Sequence, residues 1–194
     1  MNDLVAATNN KGKLKEIRQL LPWDIALQSM QDIGFTEDIP EPYDTFEENA
    51  ATKAKTVYEF CGTNTLADDS GICVPVLGDA PGVHSARYAG LPVDDGRNLR
   101  KLLDEMKGQT DRRAFYKAVI CLVWEGVEHF FDGTCSGTLA EEPRGHKGFG
   151  YDPIFIPDGY SETFGELPQE VKNRLSHRGQ AIRKMMEFIL SKRQ

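Results

Sequence analysis

The segment Arg113–Trp124 most constrains what this chain can fold into. Its β-branched and aromatic residues read as one long strand, and Gly126 is the only punctuation before a second strand-like run over residues 128–139. So short a connection requires a tight turn, and the spacing predicts an antiparallel hairpin. The apolar part of the first run, residues 118–124, is bounded by Lys117 and Glu125. It falls far short of the roughly 20 residues that cross a bilayer, so no membrane span is expected.

Around this hairpin the pattern alternates between strand and helix. Residues 4–7 read as a short buried strand, followed by the polar turn Thr8-Asn9-Asn10-Lys11-Gly12 and by a helix with Leu14, Ile17, Leu20 and Leu21 at helical spacing. Pro40 and Pro42 mark an irregular stretch before a second helix. There Thr45 and Glu48 fit a capping box, and Phe46, Ala50, Ala54 and Val57 form one face. Leu66 and Ala67 lead into Asp68-Asp69-Ser70-Gly71, read as a polar break between strand-like segments. Residues 98–106 and 176–190 read as helices, the latter with Ile182, Met185, Met186 and Ile189 inward. The predicted class is α/β with a mixed sheet. No repeat, low-complexity tract or long linker interrupts the 194 residues, so one domain over residues 1–194 is the simplest organisation, with room for two lobes.

Composition narrows the function. With 40% hydrophobic and 27% charged residues the chain is an ordinary globular protein. Its 23 Lys and Arg against 30 Asp and Glu give a net charge of -7, which argues against nucleic-acid binding by phosphate neutralisation. A small anion needs only a few local cations and remains open. The first ten residues lack the features of a signal peptide, so a cytoplasmic location is expected. The four cysteines form no CxxC pair, and the four histidines form no i, i+4 pair. The cysteines are read as reduced packing residues, and any metal must be held by carboxylates, which points to Mg²⁺ or Mn²⁺.

Four segments carry residues suited to chemistry, and each admits a plainer reading. Thr8-Asn9-Asn10-Lys11-Gly12-Lys13 sits between a strand and a helix N-terminus, where free N–H groups and two lysines favour a phosphate. It lacks Walker-loop spacing, and a helix cap with solvated lysines explains it equally. Asp68 and Asp69 suit a hard cation, with Gly71 permitting an unusual turn. In a strand their side chains point to opposite faces, so one is expected to be catalytic and the other supporting. The alternative is an Asx-type turn. Glu37, Asp38 and Glu41 form a separate acidic loop that either completes the site or is simply solvated. In residues 145–153, GHKGFGYDP, glycines allow close approach to a ligand, Phe149 offers a stacking face and Asp152 an acceptor. Loop punctuation covering the core is the competing account. Ser176-His177-Arg178-Gly179, with Lys172 upstream, concentrates cationic and polar groups, although Ser176 also suits a helix N-cap and a lone His is usually structural.

Six segments in order, TNNKGK, FEENAATKAK, LADDSG, APGVHSARY, GFGYDP and SHRG, resemble the inosine triphosphate pyrophosphatase family, the dITP/XTP pyrophosphatases. The resemblance implies an elongated mixed β-sheet with flanking helices, forming two lobes around a central nucleotide cleft, and a homodimer. It implies Mg²⁺-dependent hydrolysis of ITP, dITP and XTP to the monophosphate and pyrophosphate, which clears deaminated purines from the nucleotide pool. By the same resemblance Thr8, Asn9, Asn10, Lys11, Gly12 and Lys13 bind the triphosphate with Lys53, and Ser70 contacts substrate. Asp69 is the catalytic base and a metal ligand; Glu41 and Asp68 are the further metal candidates. Phe149 stacks on the purine, and Gly150, Tyr151, Asp152, Lys172, His177 and Arg178 line the base and phosphate pocket. A 6-oxopurine presents an acceptor where adenine has a donor, so His177, Arg178 and backbone N–H groups are the expected donors. Guanine shares that oxygen, so its exclusion depends on the 2-position. Two other classes stand beside this reading: a nucleotide sensor without turnover, and a pyrophosphatase for modified pyrimidines. A purely structural domain gives no reason for four polar glycine-bearing loops.

Overall fold

The computed structural model describes residues 3–192. Its elements in chain order are β1 (Asp3–Ala6), α1 (Lys11–Leu20), β2 (Ala26–Ser29), α2 (Phe46–Cys61), β3 (Thr65–Cys73), α3 (Asp95–Glu105), β4 (Arg113–Trp124), β5 (Val127–Leu139), β6 (Phe155–Pro157), α4 (Gln169–Leu175) and α5 (His177–Ser191). The strands form a six-stranded sheet in the order β2-β1-β3-β4-β5-β6. β1 runs parallel to β2 and β3, with Val5 opposite Thr65, whereas β5 and β6 are antiparallel. The fold is therefore α/β with a mixed sheet, as the alternation of patterns predicts. Glu125 and Gly126 join β4 to β5 with φ values of 50° and 82°, the double positive φ of a type I′ hairpin turn.

Two compact units are built from these elements. Among the described residues the first comprises 3–69, 118–133 and 178–192, and the second 70–117 and 134–177. In the first, Leu4, Ala6, Ile17, Leu66, Ile120 and Leu122 pack with Ala181, Ile182, Met185 and Ile189 of α5. The core of the second gathers Ile72 and Val74, Leu99, Leu102 and Met106, and the aromatic set Tyr116, Tyr151, Phe155 and Phe164. Both follow the apolar spacing of their helices. All four cysteines are free, and burial pushes the thiol of Cys73 up to about 11 and those of Cys121 and Cys135 up to about 12, so all three stay protonated packing groups. Among the described residues no helix is long and apolar enough to cross a membrane.

Local chemistry sets the helix starts. Asn10 caps α1, its side chain accepting from the Lys13 N–H at 3.0 Å. Thr45 caps α2 by accepting from the Glu48 N–H at 3.2 Å, and Glu48 answers by accepting from the Thr45 hydroxyl at 2.6 Å rather than from its backbone. Glu47 and Glu48 in that first turn also favour the helix dipole. Gly62 ends α2 in the left-handed conformation at φ 65°.

The structure differs from the sequence reading at Asp68-Asp69-Ser70-Gly71. These residues do not break the chain; β3 runs straight through them. Gly71 is needed for space and not for a turn, because a Cβ there would stand 2.1 Å from the Gly82 carbonyl oxygen and 2.5 Å from the Ser85 Oγ. β2, β6 and α4 were not expected, being short segments without enough repeats to show a period. Gly71→Ala should therefore destabilise the protein by about 1–3 kcal/mol through overpacking against backbone. The urea midpoint of unfolding, read against wild type, measures it; an unchanged midpoint would contradict the steric account.

Candidate active site

In the first unit the acids of β3 meet cations from three helices. Alternation along the strand sends Asp68 and Asp69 to different partners. Asp68 is fully enclosed: the Arg178 guanidinium donates from Nε to Oδ2 at 2.8 Å and from Nη2 to Oδ1 at 3.2 Å, and Lys13 Nζ lies 2.8 Å from Oδ1. Arg178 also donates from Nη1 to Glu16 Oε2 at 2.5 Å, so a buried guanidinium is held between two buried carboxylates. Burial works against ionising Asp68, yet Arg178 and Lys13 outweigh it and hold the carboxyl well below its ordinary range.

Asp69 has the opposite surroundings. Burial pushes its carboxyl up, the charges of Glu41 and Asp68 add to this, and Lys53 and Lys13 only partly offset it. Lys53, buried on the inner face of α2, donates to Glu41 Oε1 at 2.5 Å, to the Asp68 carbonyl at 3.0 Å and to Asp69 Oδ1 at 3.3 Å. Burial lowers the proton affinity of this ammonium, but Asp69 and Glu41 more than compensate and raise it. Asp69 Oδ2 is buried and finds no hydrogen-bond partner among the described residues. Such an orphaned acceptor is costly in a folded protein and marks a place where a water, proton or cation belongs.

This arrangement tests the metal expectation. Among the described residues no three His, Cys, Asp or Glu side chains form a ready-made cluster. Mg²⁺, however, commonly uses one or two carboxylates and completes its shell with water and substrate phosphates. Asp69 and Glu41, joined through Lys53, are hard oxygen donors of that kind. Asp68 fits poorly as a metal ligand because both its oxygens are bonded to cations, those of Arg178 and Lys13. Lys53, expected on the triphosphate, is engaged with the acids.

The remaining predicted residues fall into two groups. Thr8, Asn9, Asn10, Lys11 and Gly12 form the turn into α1, where Thr8 Oγ1 accepts from the Asn10 N–H at 3.1 Å and Asn9, Asn10 and Lys11 are exposed. The Asn10 cap is present there, and the exposed turn leaves the N-terminus of α1 accessible. Ser70 is half-buried at the start of the second unit. In that unit Lys172 Nζ and Asp152 Oδ2 form a buried pair at 2.6 Å, and Lys172 Nζ stands 5.1 Å from the centre of the half-buried Phe149 ring. The Phe149 N–H donates to Asp152 Oδ2 at 2.8 Å and the Gly150 N–H to Asp95 Oδ2 at 2.9 Å. Gly148 must lack a side chain: at φ +75° its Cβ would lie 2.0 Å from that same Asp152 oxygen. His177 is buried and stacks on Tyr116 with ring centres 4.6 Å apart and planes 5° from parallel.

Two residues expected in the pocket make contacts within the protein. Tyr151 is buried in the second unit's core, its hydroxyl donating to the Ser85 carbonyl at 2.8 Å, so its side chain is a brace. Arg178 bonds the carboxylates of Asp68 and Glu16, where the sequence reading had its donors facing a purine. Glu16 was missed altogether. Its signal was present, since positions 13, 16, 17 and 20 share one face of α1, but an acid there reads as solvated until an arginine is placed opposite it.

With this geometry in place, comparison with known proteins is decisive. Residues 4–188 match the Ham1 family. The chain belongs to the Ham1 family. It is 45% identical to the dITP/XTP pyrophosphatase of Porphyromonas gingivalis over 191 residues, covering 98% of both chains. The dITP/XTP pyrophosphatase of Christiangramia forsetii is 47% identical over 186 residues, covering 96% of this chain and 98% of that one. Among solved structures, the Ham1 protein of Staphylococcus aureus superposes with a TM-score of 0.88 at 36% identity, covering 98% of this chain and 99% of its own. The family resemblance carried by the motifs is thereby borne out over nearly the whole length.

The Asp68–Arg178 pairing has a measurable signature. A carboxyl held low in the folded state contributes stability that is present above its unfolded value, about 3.9, and lost as the pH falls from there towards the folded value. Arg178→Met removes the main cation from a buried acid and should cost about 3–5 kcal/mol near neutrality. The gap to wild type in urea unfolding should narrow below about pH 4, where Asp68 begins to protonate in the variant and in both unfolded chains. A gap that stays constant down to pH 3 would refute the pairing as its source.

Proposed function

We propose that this member of the Ham1 family is a nucleoside-triphosphate diphosphatase, hydrolysing dITP, XTP and ITP to the monophosphate and pyrophosphate with Mg²⁺, as a cytoplasmic homodimer that clears deaminated purines. The observation that carries the reading is Asp69: a buried carboxylate with one oxygen on Lys53 and the other without a partner among the described residues, beside an acid already neutralised by Arg178 and Lys13. The dITP/XTP pyrophosphatase names of its relatives support the substrate class.

Each residue has a role that follows from its surroundings. Asp69 takes the proton of the attacking water at Oδ2, the oxygen left without a partner among the described residues. Lys53 fixes Asp69 Oδ1 and Glu41, so the base does not rotate away. Lys13, Thr8 and the N-terminus of α1 bind the polyphosphate, where N–H groups and the helix dipole favour negative charge. Mg²⁺, held by Asp69 and Glu41, would neutralise phosphate oxygens and polarise the scissile phosphorus. The α–β phosphoanhydride bond breaks, the water oxygen remains on phosphorus and pyrophosphate leaves.

Discrimination against adenine follows from Asp152 and Lys172, while exclusion of guanine depends on its 2-position. Their 2.6 Å pair sets an acceptor beside a donor. A 6-oxopurine offers the complement, a donor N1–H beside an acceptor O6, whereas adenine has an acceptor N1 beside a donor amine. Phe149 supplies the ring face against which such a base stacks.

A panel of ITP, XTP, dITP, ATP, GTP and pyrimidine triphosphates with Mg²⁺, with monophosphate plus pyrophosphate separated from diphosphate plus phosphate, tests this. Pyrophosphate released chiefly from ITP, XTP and dITP is the expected outcome. Orthophosphate would move the cleavage site, turnover of pyrimidines alone would change the substrate class, and binding without turnover would indicate a sensor. Asp69→Asn should lower turnover by about 10² to 10⁴ with the fold retained. It should be no less stable than wild type near neutrality, because a carboxyl whose folded value is raised loses stability as pH rises through that value. Near wild-type turnover in that variant would sink the assignment.

A further inference from the structure

We propose that Asp95 is a positioning residue for the nucleobase platform, acting through the Gly150 amide to set the Phe149 ring. The inference rests on the reading of Phe149 as the stacking residue and extends the site to the start of α3. Two carboxylates grip the backbone around that residue: Asp152 Oδ2 accepts from the Phe149 N–H at 2.8 Å, and Asp95 Oδ2 accepts from the next N–H, that of Gly150, at 2.9 Å. Consecutive amides held by acids from different elements leave the intervening residue little freedom to swing. Gly150 has φ 61°, a conformation that presents its N–H at little steric cost only because it lacks a Cβ.

The ordinary role of an acid at a helix start does not account for this bond. Asp94, one residue earlier, is the N-cap of α3, its Oδ1 accepting from the Arg97 N–H at 2.7 Å. Asp95 is therefore not needed as a cap and directs its carboxylate to a loop 55 residues further along the chain. A closed ring of hydrogen bonds supports it. Asn98, three residues along α3, donates to the Ala86 carbonyl at 2.8 Å and accepts from the Ala89 N–H at 2.7 Å. The neighbouring Ser85 carbonyl accepts from the hydroxyl of Tyr151, the residue after Gly150. Asp95 closes the ring from α3 through the 82–87 turn to the glycine loop and back.

A single exposed hydrogen bond is worth enough to be seen in binding. Asp95→Ala should raise the KM for dITP about 3- to 10-fold with kcat changed less than about twofold. Asp95→Asn keeps an oxygen for the Gly150 N–H and should return KM to within about twofold of wild type. Both substitutions remove the charge from the start of α3, so a role confined to that helix would affect them equally. In a Phe149→Ala background Asp95→Ala should add no further rise in KM, because its effect passes through the missing ring. Hydrogen exchange of residues 145–153 should quicken in Asp95→Ala and not in Asp95→Asn. Equal losses in the Ala and Asn variants, additivity with Phe149→Ala, a fall in kcat alone, or unchanged exchange would each overturn the proposal. Absence of dITP turnover by the wild type would instead overturn the functional reading, and exchange would then decide the grip on Gly150 by itself.

Discussion

The chemistry of the first unit depends on one buried guanidinium. A charged group cannot stay in a low-dielectric interior without partners, and Arg178 finds them in Asp68 of β3 and Glu16 of α1. The rigid fork of arginine suits this position because it bonds both oxygens of Asp68 and still reaches Glu16. Through Asp68 the same charge fixes Lys13, whose ammonium stands one turn inside the helix expected to receive phosphate. Strand, first helix and last helix are thus tied by one set of bonds.

That arrangement makes two adjacent aspartates chemically unlike. Asp68 is saturated with cations and stays ionised, whereas Asp69 is buried, shares Lys53 with Glu41 and keeps one oxygen without a protein partner among the described residues. Separation of proton affinities in neighbouring carboxyls is a recurrent way for a fold to assign one acid to structure and another to proton transfer. The fold carries a destabilised group at Asp69, which is intelligible where activity requires it.

In the second unit sterics act beside a buried ion pair, that of Lys172 and Asp152. Gly71 admits the Gly82 carbonyl, and Gly148 admits the Asp152 carboxylate that holds the Phe149 amide. Neither glycine is where it is for flexibility alone. A side chain at position 148 would occupy the space of the acceptor on which both Phe149 and Lys172 rely.

Much was legible from the chain itself. Strand periodicity marked β4 and the turn at Glu125-Gly126, helical spacing marked the buried faces of α2 and α5, and Thr45 announced its helix, because each depends on neighbours a few residues away. The opposition of Asp68 and Asp69 followed from the two-residue repeat of a strand. What sequence alone left undecided depends on distant partners. Glu16 lies 162 positions from Arg178, Tyr151 turns its hydroxyl to Ser85, and Asp95 reaches Gly150, pairings that no local pattern encodes. Periodicity determines which face a residue occupies. Only the tertiary structure decided which charge met which, since that depends on burial and on groups brought together from remote parts of the chain.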